Sequence, residues 1–436
     1  MFHHSRSFRF FSVFALMGLW LLSLAMWPAH ASVQLPREVR LILDYLRLEL
    51  EVEPKVGSIS REGDTLILKD VQFLAAKAAK KDDLKDADVR AREIRITGAA
   101  EQDGLLTYKR VDVLDLVFLL KSPKEETITI TLPRILLAEL SVLPKDQARS
   151  VKESMAAGQV LASALEIPEV AFSIPGVRPF AWRDIKGTWQ GNRRTGEGES
   201  FLNLGSLRLP LEELALTNKK EGERNAVILR ALGLGTFTLS GGYRDKREWA
   251  PDGRLLASSQ TRLRVEEAGE LSISFDKLAL PQALLKAVTG LQRNLHQQGS
   301  ANTPGQAAPG ADILNDPQLA AAIRDLTLNG AEVRWQDFGI TRRLLVLLAA
   351  GENKATEELI AEYLQQLQMQ AGALLPPQVA QQLVRAVSHF LQEPKSFRIS
   401  VKGRGGQPVS VAGLAMLLVA PQMVFNSLDI EIKANE

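Results

Sequence analysis

Thr127-Ile128-Thr129-Ile130-Thr131-Leu132 is the stretch that decides the fold. Strict alternation sends Ile128, Ile130 and Leu132 to one side of a pleated strand and the threonines to the other, and β-branched residues at this density oppose a helix. The same period recurs along the chain. Four phrases of the form apolar-x-apolar-x-Gly read as half-buried strands ended at a turn: Ile94–Gly98, Phe237–Gly241, Leu326–Gly330 and Ile399–Gly403. Further strands are expected at Val89–Thr97, Tyr108–Leu119, Phe180–Gly187, Leu202–Leu209, Thr261–Val265 and Leu271–Phe275, with a turn at Gly63-Asp64 between two early ones.

Helical spacing interrupts this pattern. Val151, Met155, Val160, Leu161 and Leu165 predict a helix over Lys145–Leu165, stopped by Pro168. A short amphipathic helix over 33–50 would pack on the first sheet or lie on a membrane surface. Near the C-terminus the order is strand (Leu326–Leu328), strand (Ala331–Trp335), three helical pieces (Ile340–Ala350, Ala355–Ala371, Pro377–Leu391), then strands Phe397–Lys402 and Leu428–Lys433. The expected fold is α+β: β-rich, with extended twisted antiparallel sheets, covering helices and a C-terminal helical insertion at 340–391, since short βαβ alternation is missing.

The N-terminus combines Arg6 and Arg9, an apolar run from Phe10 to Trp27 and the small-x-small exit Ala29-His30-Ala31. A secretory signal peptide over 1–31, cleaved before Ser32, fits this grammar. The competing reading is an uncleaved inner-membrane anchor over 10–27, because a run of about 18 residues approaches the roughly 20 that span a bilayer. The expected organisation is an N-terminal β-rich domain (32–145), a middle β-rich domain with flanking helices (146–298), a flexible Gly/Ala/Pro/Gln linker (299–312) and a C-terminal α+β domain (313–436).

Lys and Arg number 53 against 51 Asp and Glu, and removing residues 1–31, with two Arg and no acid, balances the charges. A neutral chain argues against nucleic acid and against polybasic docking on anionic lipid. With no Cys, thiol chemistry, disulfides and Cys-ligated zinc are excluded. An exported chain without disulfides suits a bacterial periplasm.

Catalytic constellations are sparse. His296 and His389 lack a second ligand at helical spacing, no Gly-x-Ser-x-Gly or Gly-Lys phosphate loop occurs, and Ser274–Lys277 stands without companion motifs. Adjacent acids such as Glu266-Glu267, Asp82-Asp83 and Glu357-Glu358 point apart on a helix. No enzymatic activity, cofactor or metal is expected. Trp182, Trp189, Trp249 and Trp335 fall near strand ends, and the apolar segment Val409–Phe425, broken by Pro421, is too short to span a membrane and reads as a buried lid.

The chain resembles the AsmA-like and YdgA-like proteins of Gram-negative envelopes. The likeness lies in Gly63-Asp64-Thr65-Leu66-Ile67-Leu68-Lys69-Asp70-Val71, in the recurring strand-Gly units, and in the helical insertion followed by Pro394-Lys395-Ser396-Phe397-Arg398-Ile399. It implies a β-lined apolar groove that handles lipid. The chain departs from that group in its signal-like exit and modest length.

Together these readings predict a periplasmic, non-enzymatic envelope protein that binds a lipid or other hydrophobic ligand in a β-lined groove, with peripheral membrane contact. The expected lining is Ile128, Ile130 and Leu132; Leu271, Ile273 and Phe275; Phe397, Ile399 and Val401; and Leu428, Ile430 and Ile432. Each of these rows also suits ordinary core. The rival expectation is an envelope scaffold that binds a protein partner through a strand edge or the helical insertion.

Overall fold

A computed structural model describes residues 52–75, 87–121, 127–144, 147–157, 159–217, 221–287, 317–411, 413, 425 and 427–436. The signal or anchor, the 33–50 helix, the 299–312 linker and most of the apolar segment 409–425 lie outside the described residues. Among the described residues no helix is long and apolar enough to cross a membrane.

The elements run β1 (Val52–Glu62), β2 (Thr65–Ala75), β3 (Ala87–Thr97), β4 (Ala100–Gln102), β5 (Leu105–Lys121), β6 (Thr127–Val142), α1 (Val151–Ala156), β7 (Val160–Ser173) and β8 (Phe180–Asn192). They continue with β9 (Glu197–Leu209), α2 (Leu211–Leu216), α3 (Gly222–Ala231), β10 (Phe237–Trp249), β11 (Leu255–Val265), β12 (Gly269–Leu280), α4 (Pro317–Arg324) and β13 (Thr327–Asp337). The last are α5 (Ile340–Glu352), α6 (Thr356–Leu374), α7 (Pro377–Gln392), β14 (Ser396–Gly403), β15 (Val409–Ser410) and β16 (Leu428–Ala434). The β-rich α+β expectation holds at this level.

The chain forms two compact units. One comprises residues up to Gly196 with Glu213–Glu223, the other Glu197–Glu212 with Arg224–Glu436. Strands of the first unit pair in the order β1-β2-β3-β5-β6-β7-β8, with β4 added to β5, and those of the second in the order β9-β10-β11-β12-β13-β14-β16. All the registered pairings are antiparallel; most join strands close in sequence, while β12–β13 and β13–β14 pair across longer connections. The expected boundary at 145/146 falls inside the first unit, where β6 and β7 pair across it (Ile130 opposite Phe172). Likewise β12 pairs with β13 across residues 299–312 (Ile273 opposite Val333).

Several local expectations change. The helix predicted over Lys145–Leu165 is only Val151–Ala156: the Ser150 side chain accepts from the Glu153 N–H as its N-cap, Ala157 is extended, and Val160, Leu161 and Leu165 belong to β7. Their spacing fits either period over so short a window. Of the four phrase-ending glycines, Gly98, at φ 63, and Gly403, which leads from β14 into a 3-10 turn at Arg404–Gly406, end their strands. Gly241 and Gly330 sit inside β10 and β13, so the two strands expected around Gly330 are one. At Gly241 a Cβ would meet the Arg262 carbonyl oxygen at 2.3 Å, so that glycine permits close backbone approach instead of a reversal.

The first unit keeps one apolar face by an unexpected device. In β2 the buried positions Leu68 and then Val71 and Phe73 change parity; so do Ile96, Ile94 and then Ala91, Val89 in β3, and Val111, Val113 and then Leu116, Phe118 in β5, yet all belong to one core. A regular strand would send half of them to the opposite face. The parity changes across Asp70 and Asp115, which adopt left-handed φ values of 53 and 50. Asp184 in β8 does the same at φ 61, between buried Trp182 and Ile185.

Register is unbroken across this crease: Lys69 faces Glu93 and Val71 faces Ala91, and Leu114 faces Arg134 and Leu116 faces Leu132. Pro133 lies opposite Asp115, and Pro168 opposite Asp184, at the skipped positions. A proline has no N–H to leave without an acceptor there. Pro168 therefore marks the crease of a strand, not the stop of a helix.

On the polar face Asp112 is buried and accepts from two guanidinium groups: Arg110 Nε at 2.5 Å and Nη2 at 3.0 Å, and Arg134 Nε at 2.9 Å and Nη2 at 2.7 Å. Burial alone would raise its pKa, but the hydrogen bonds from Arg110 and Arg134 and their charges outweigh it, and the carboxyl is held below its ordinary value.

Two outcomes are expected. Asp184→Val should destabilise the chain by about 1–2 kcal/mol, because a β-branched residue resists left-handed φ, while Asp184→Gly should change it by less than about 1 kcal/mol; urea unfolding separates the two. Asp112→Asn should cost about 1–3 kcal/mol at pH 7. A depressed folded pKa contributes stability above the unfolded value of about 4 and loses it as pH falls through the folded one, so the deficit should fade in unfolding curves taken in that acidic window.

Candidate hydrophobic-ligand site

Residues directly opposite in an antiparallel ladder share a face. In the second unit the registers therefore assemble rows across strands. One row is Leu263, Leu271, Trp335, Phe397 and Ala434; the next is Thr261, Ile273, Val333, Ile399 and Ile432; the third is Ser259, Phe275, Ala331, Val401 and Ile430. Three of the four groups expected from the sequence thus lie side by side on one face, with Leu428 opposite Gly403 at its margin. Their reverse side carries Ser272, Arg334, Arg398 and Lys433 in register, a polar face.

The fourth group is elsewhere. Ile128, Ile130 and Leu132 stand on β6 in the first unit, where Ile130 and Leu132 are buried among strand neighbours, Ile130 between Phe118 and Phe172 and Leu132 opposite Leu116. Ile130 and Leu132 are core of that unit, and Ile128 is half-buried at the end of the same strand. Nothing in their alternation distinguishes them from the others, because a strand's period reports a face and not which sheet the face belongs to.

Helix α7 covers the β14–β16 side of the apolar face. Its stripe Val379, Leu383, Ala386, Val387 and Phe390 follows helical spacing, Ala386 is buried, and the Phe390 and Phe397 rings meet at 5.7 Å between centroids and 59°. The Asn435 side-chain amide donates to the His389 carbonyl at 3.0 Å, so His389 ties the helix end to the chain terminus through its backbone. Leu428, expected as lining, is 4 % exposed and is core. Among the described residues the cover ends toward β12 and β13: Phe275 and Val333, diagonal neighbours on these two strands, are each 44 % exposed.

A buried carboxylate positions the helical insertion over this sheet. Asp337, at the end of β13, accepts from Gly339 N at 2.6 Å, Thr341 N at 3.1 Å, Thr341 Oγ1 at 2.5 Å and Trp335 Nε1 at 3.2 Å. It thereby supplies acceptors for the first free N–H groups of α5 and orients the Trp335 ring of the apolar face. Gly339 takes φ 105 to allow the sharp entry.

The other margin is polar. Tyr243, opposite Thr261, extends the middle row and Asp245, opposite Ser259, extends the third. Asp245 is buried and accepts from Arg247 Nε at 2.7 Å. Burial, and then the Asp245 charge, push the Tyr243 hydroxyl up to about 12, so it stays a neutral hydrogen-bonding group. An apolar strip bounded by α7 on one side and by Tyr243, Asp245 and Arg247 on the other suits an amphiphile.

Neither Val333 nor Trp335 was picked out as lining from the sequence, although their strand was expected. Their signal was the alternation Ala331, Val333, Trp335, in phase with Leu271–Phe275. Tyr243, Asp245 and Arg247 gave no signal, because polar residues on the inward parity read as a broken pattern.

Truncation should separate core from strip. Leu428→Ala should cost about 2–5 kcal/mol in urea unfolding, as a filled core position does, whereas Phe275→Ala should cost about 1 kcal/mol or less.

A family model described as an uncharacterised protein matches residues 262–435, less than half of the chain. The match begins within β11 and ends just past β16, so it contains the β12–β16 part of the three rows, the helical insertion and the Asp337 cap. No curated protein matches the chain.

Proposed function

We propose that this is an exported, non-enzymatic protein of the bacterial envelope that holds a lipid or other hydrophobic ligand on the apolar strip of its second unit. The observation that carries the reading is the pair Phe275 and Val333, large apolar side chains left 44 % exposed in the middle of a face whose other side is covered by α7. An apolar surface of this kind costs roughly 25 cal/mol per Å² in contact with water, and a ligand that takes its place recovers that free energy. The signal-like N-terminus and the absence of Cys support a periplasmic setting, and the likeness of Gly63–Val71 and Pro394–Ile399 to AsmA-like and YdgA-like proteins points to the same ligand class.

A protein partner is the second reading. Leu344, Val346 and Leu348 on α5 and Met369 and Leu374 on α6 are exposed, which suits docking of another chain on the helical insertion.

Native mass spectrometry and lipid extraction of the full chain purified from envelope fractions distinguish these. The expected result is near one lipid per chain, lost in Phe275→Asp and Val333→Asp variants that keep the wild-type circular dichroism. A lipid-free protein carrying a stoichiometric partner, released by Leu348→Asp, would replace the first reading by the second.

A further inference from the structure

The polar face of the first unit carries an open basin of about 520 Å³ lined by Arg95, Arg110, Arg134, Asp112, Thr65 and Thr97. Four strands bring these residues together by register. Thr65 of β2 stands opposite Thr97 of β3, Thr97 opposite Arg110 of β5, Arg95 opposite Asp112, and Leu114 opposite Arg134 of β6. From these residues we infer that the basin binds a phosphate-class oxyanion. The inference stands apart from the apolar strip, which lies in the other unit.

Positioning comes from two buried carboxylates. Asp112 clasps Arg110 and Arg134 as described, and Glu93, 5 % exposed, accepts from Arg95 Nε. A guanidinium has five N–H donors in a rigid fork, and each of these three commits only one or two of its nitrogens to a carboxylate. The remaining donors belong to side chains 40–49 % exposed around the basin. Three forks held on neighbouring strands suit a tetrahedral oxyanion, which accepts from several directions at once.

The charge balance agrees. Structural pairing needs one arginine per carboxylate, but here three arginines share Asp112 and Glu93, leaving one positive charge in surplus. The next carboxylate along the row, Glu166, also acts on Arg110 and stands opposite Lys186, so counting both leaves the surplus at one. Hydroxyls of Thr65 and Thr97, 2.9 Å apart, complete the rim with groups able to donate to an anion. Because the arginines are fixed before any ligand arrives, little side-chain entropy remains to be lost on binding.

Either inorganic phosphate or the phosphate of a lipid headgroup has the required chemistry. Isothermal titration of the full chain with inorganic phosphate at low ionic strength, and flotation with phosphatidylcholine vesicles with and without phosphatidic acid, test both sources. Saturable binding of about one phosphate per chain assigns the soluble ion, and recruitment only to phosphatidic acid vesicles assigns the headgroup. In either case Arg95→Gln, which leaves the Asp112 clasp intact, should weaken binding at least tenfold, while Arg183→Gln, remote and exposed, should leave it within twofold. Failure to bind either probe, unchanged binding by Arg95→Gln, or equal weakening by Arg183→Gln would overturn the inference.

Discussion

Everything in this chain follows from the need to take one face of a many-stranded antiparallel sheet out of water while each strand's backbone is satisfied by its neighbours. Alternation provides the apolar face, and ladders between strands close in sequence satisfy the N–H and C=O groups at low loop cost. What differs between the units is how the face stays one-sided and what covers it.

In the first unit the answer is the crease. A regular strand would turn half of the unit's apolar side chains to the other face, and Asp70, Asp115 and Asp184 reset the parity with left-handed backbone. Aspartate tolerates that conformation better than most residues. Pro133 and Pro168 occupy the facing positions where a ladder bond is skipped. The polar side of the same unit is organised by buried carboxylates, and Asp112 and Glu93 keep arginines in place that would otherwise sample many rotamers.

Among the described residues of the second unit the cover is incomplete. Asp337 fixes the start of α5, the insertion returns through α6 and α7, and α7 lays Phe390 against Phe397 over β14 and β16. Its apolar stripe is only wide enough for that side, so β12 and β13 keep Phe275 and Val333 partly in water. The functional reading depends on that shortfall and on the polar margin at Tyr243, Asp245 and Arg247.

Strand identity, the turn at Gly63-Asp64 and the three helices of the insertion were legible in the sequence by period alone, because each reports a local relation between neighbouring side chains. Nine of the twelve expected lining residues also proved to share a face. Period could not assign Ile128, Ile130 and Leu132 to a different unit, nor show that Leu428 is sealed, since burial depends on which element packs above it. It misread Val160–Leu165 as helix, where the two periods coincide over a few residues, and read Gly241 and Gly330 as turns, where neighbouring backbone decides the role of a glycine. By itself the sequence determined the alternating faces and the chemistry each carries. Only the tertiary structure decided register, and with it which residues become rows, which carboxylate clasps which arginine, and where the cover stops, because those relations join residues far apart in the chain.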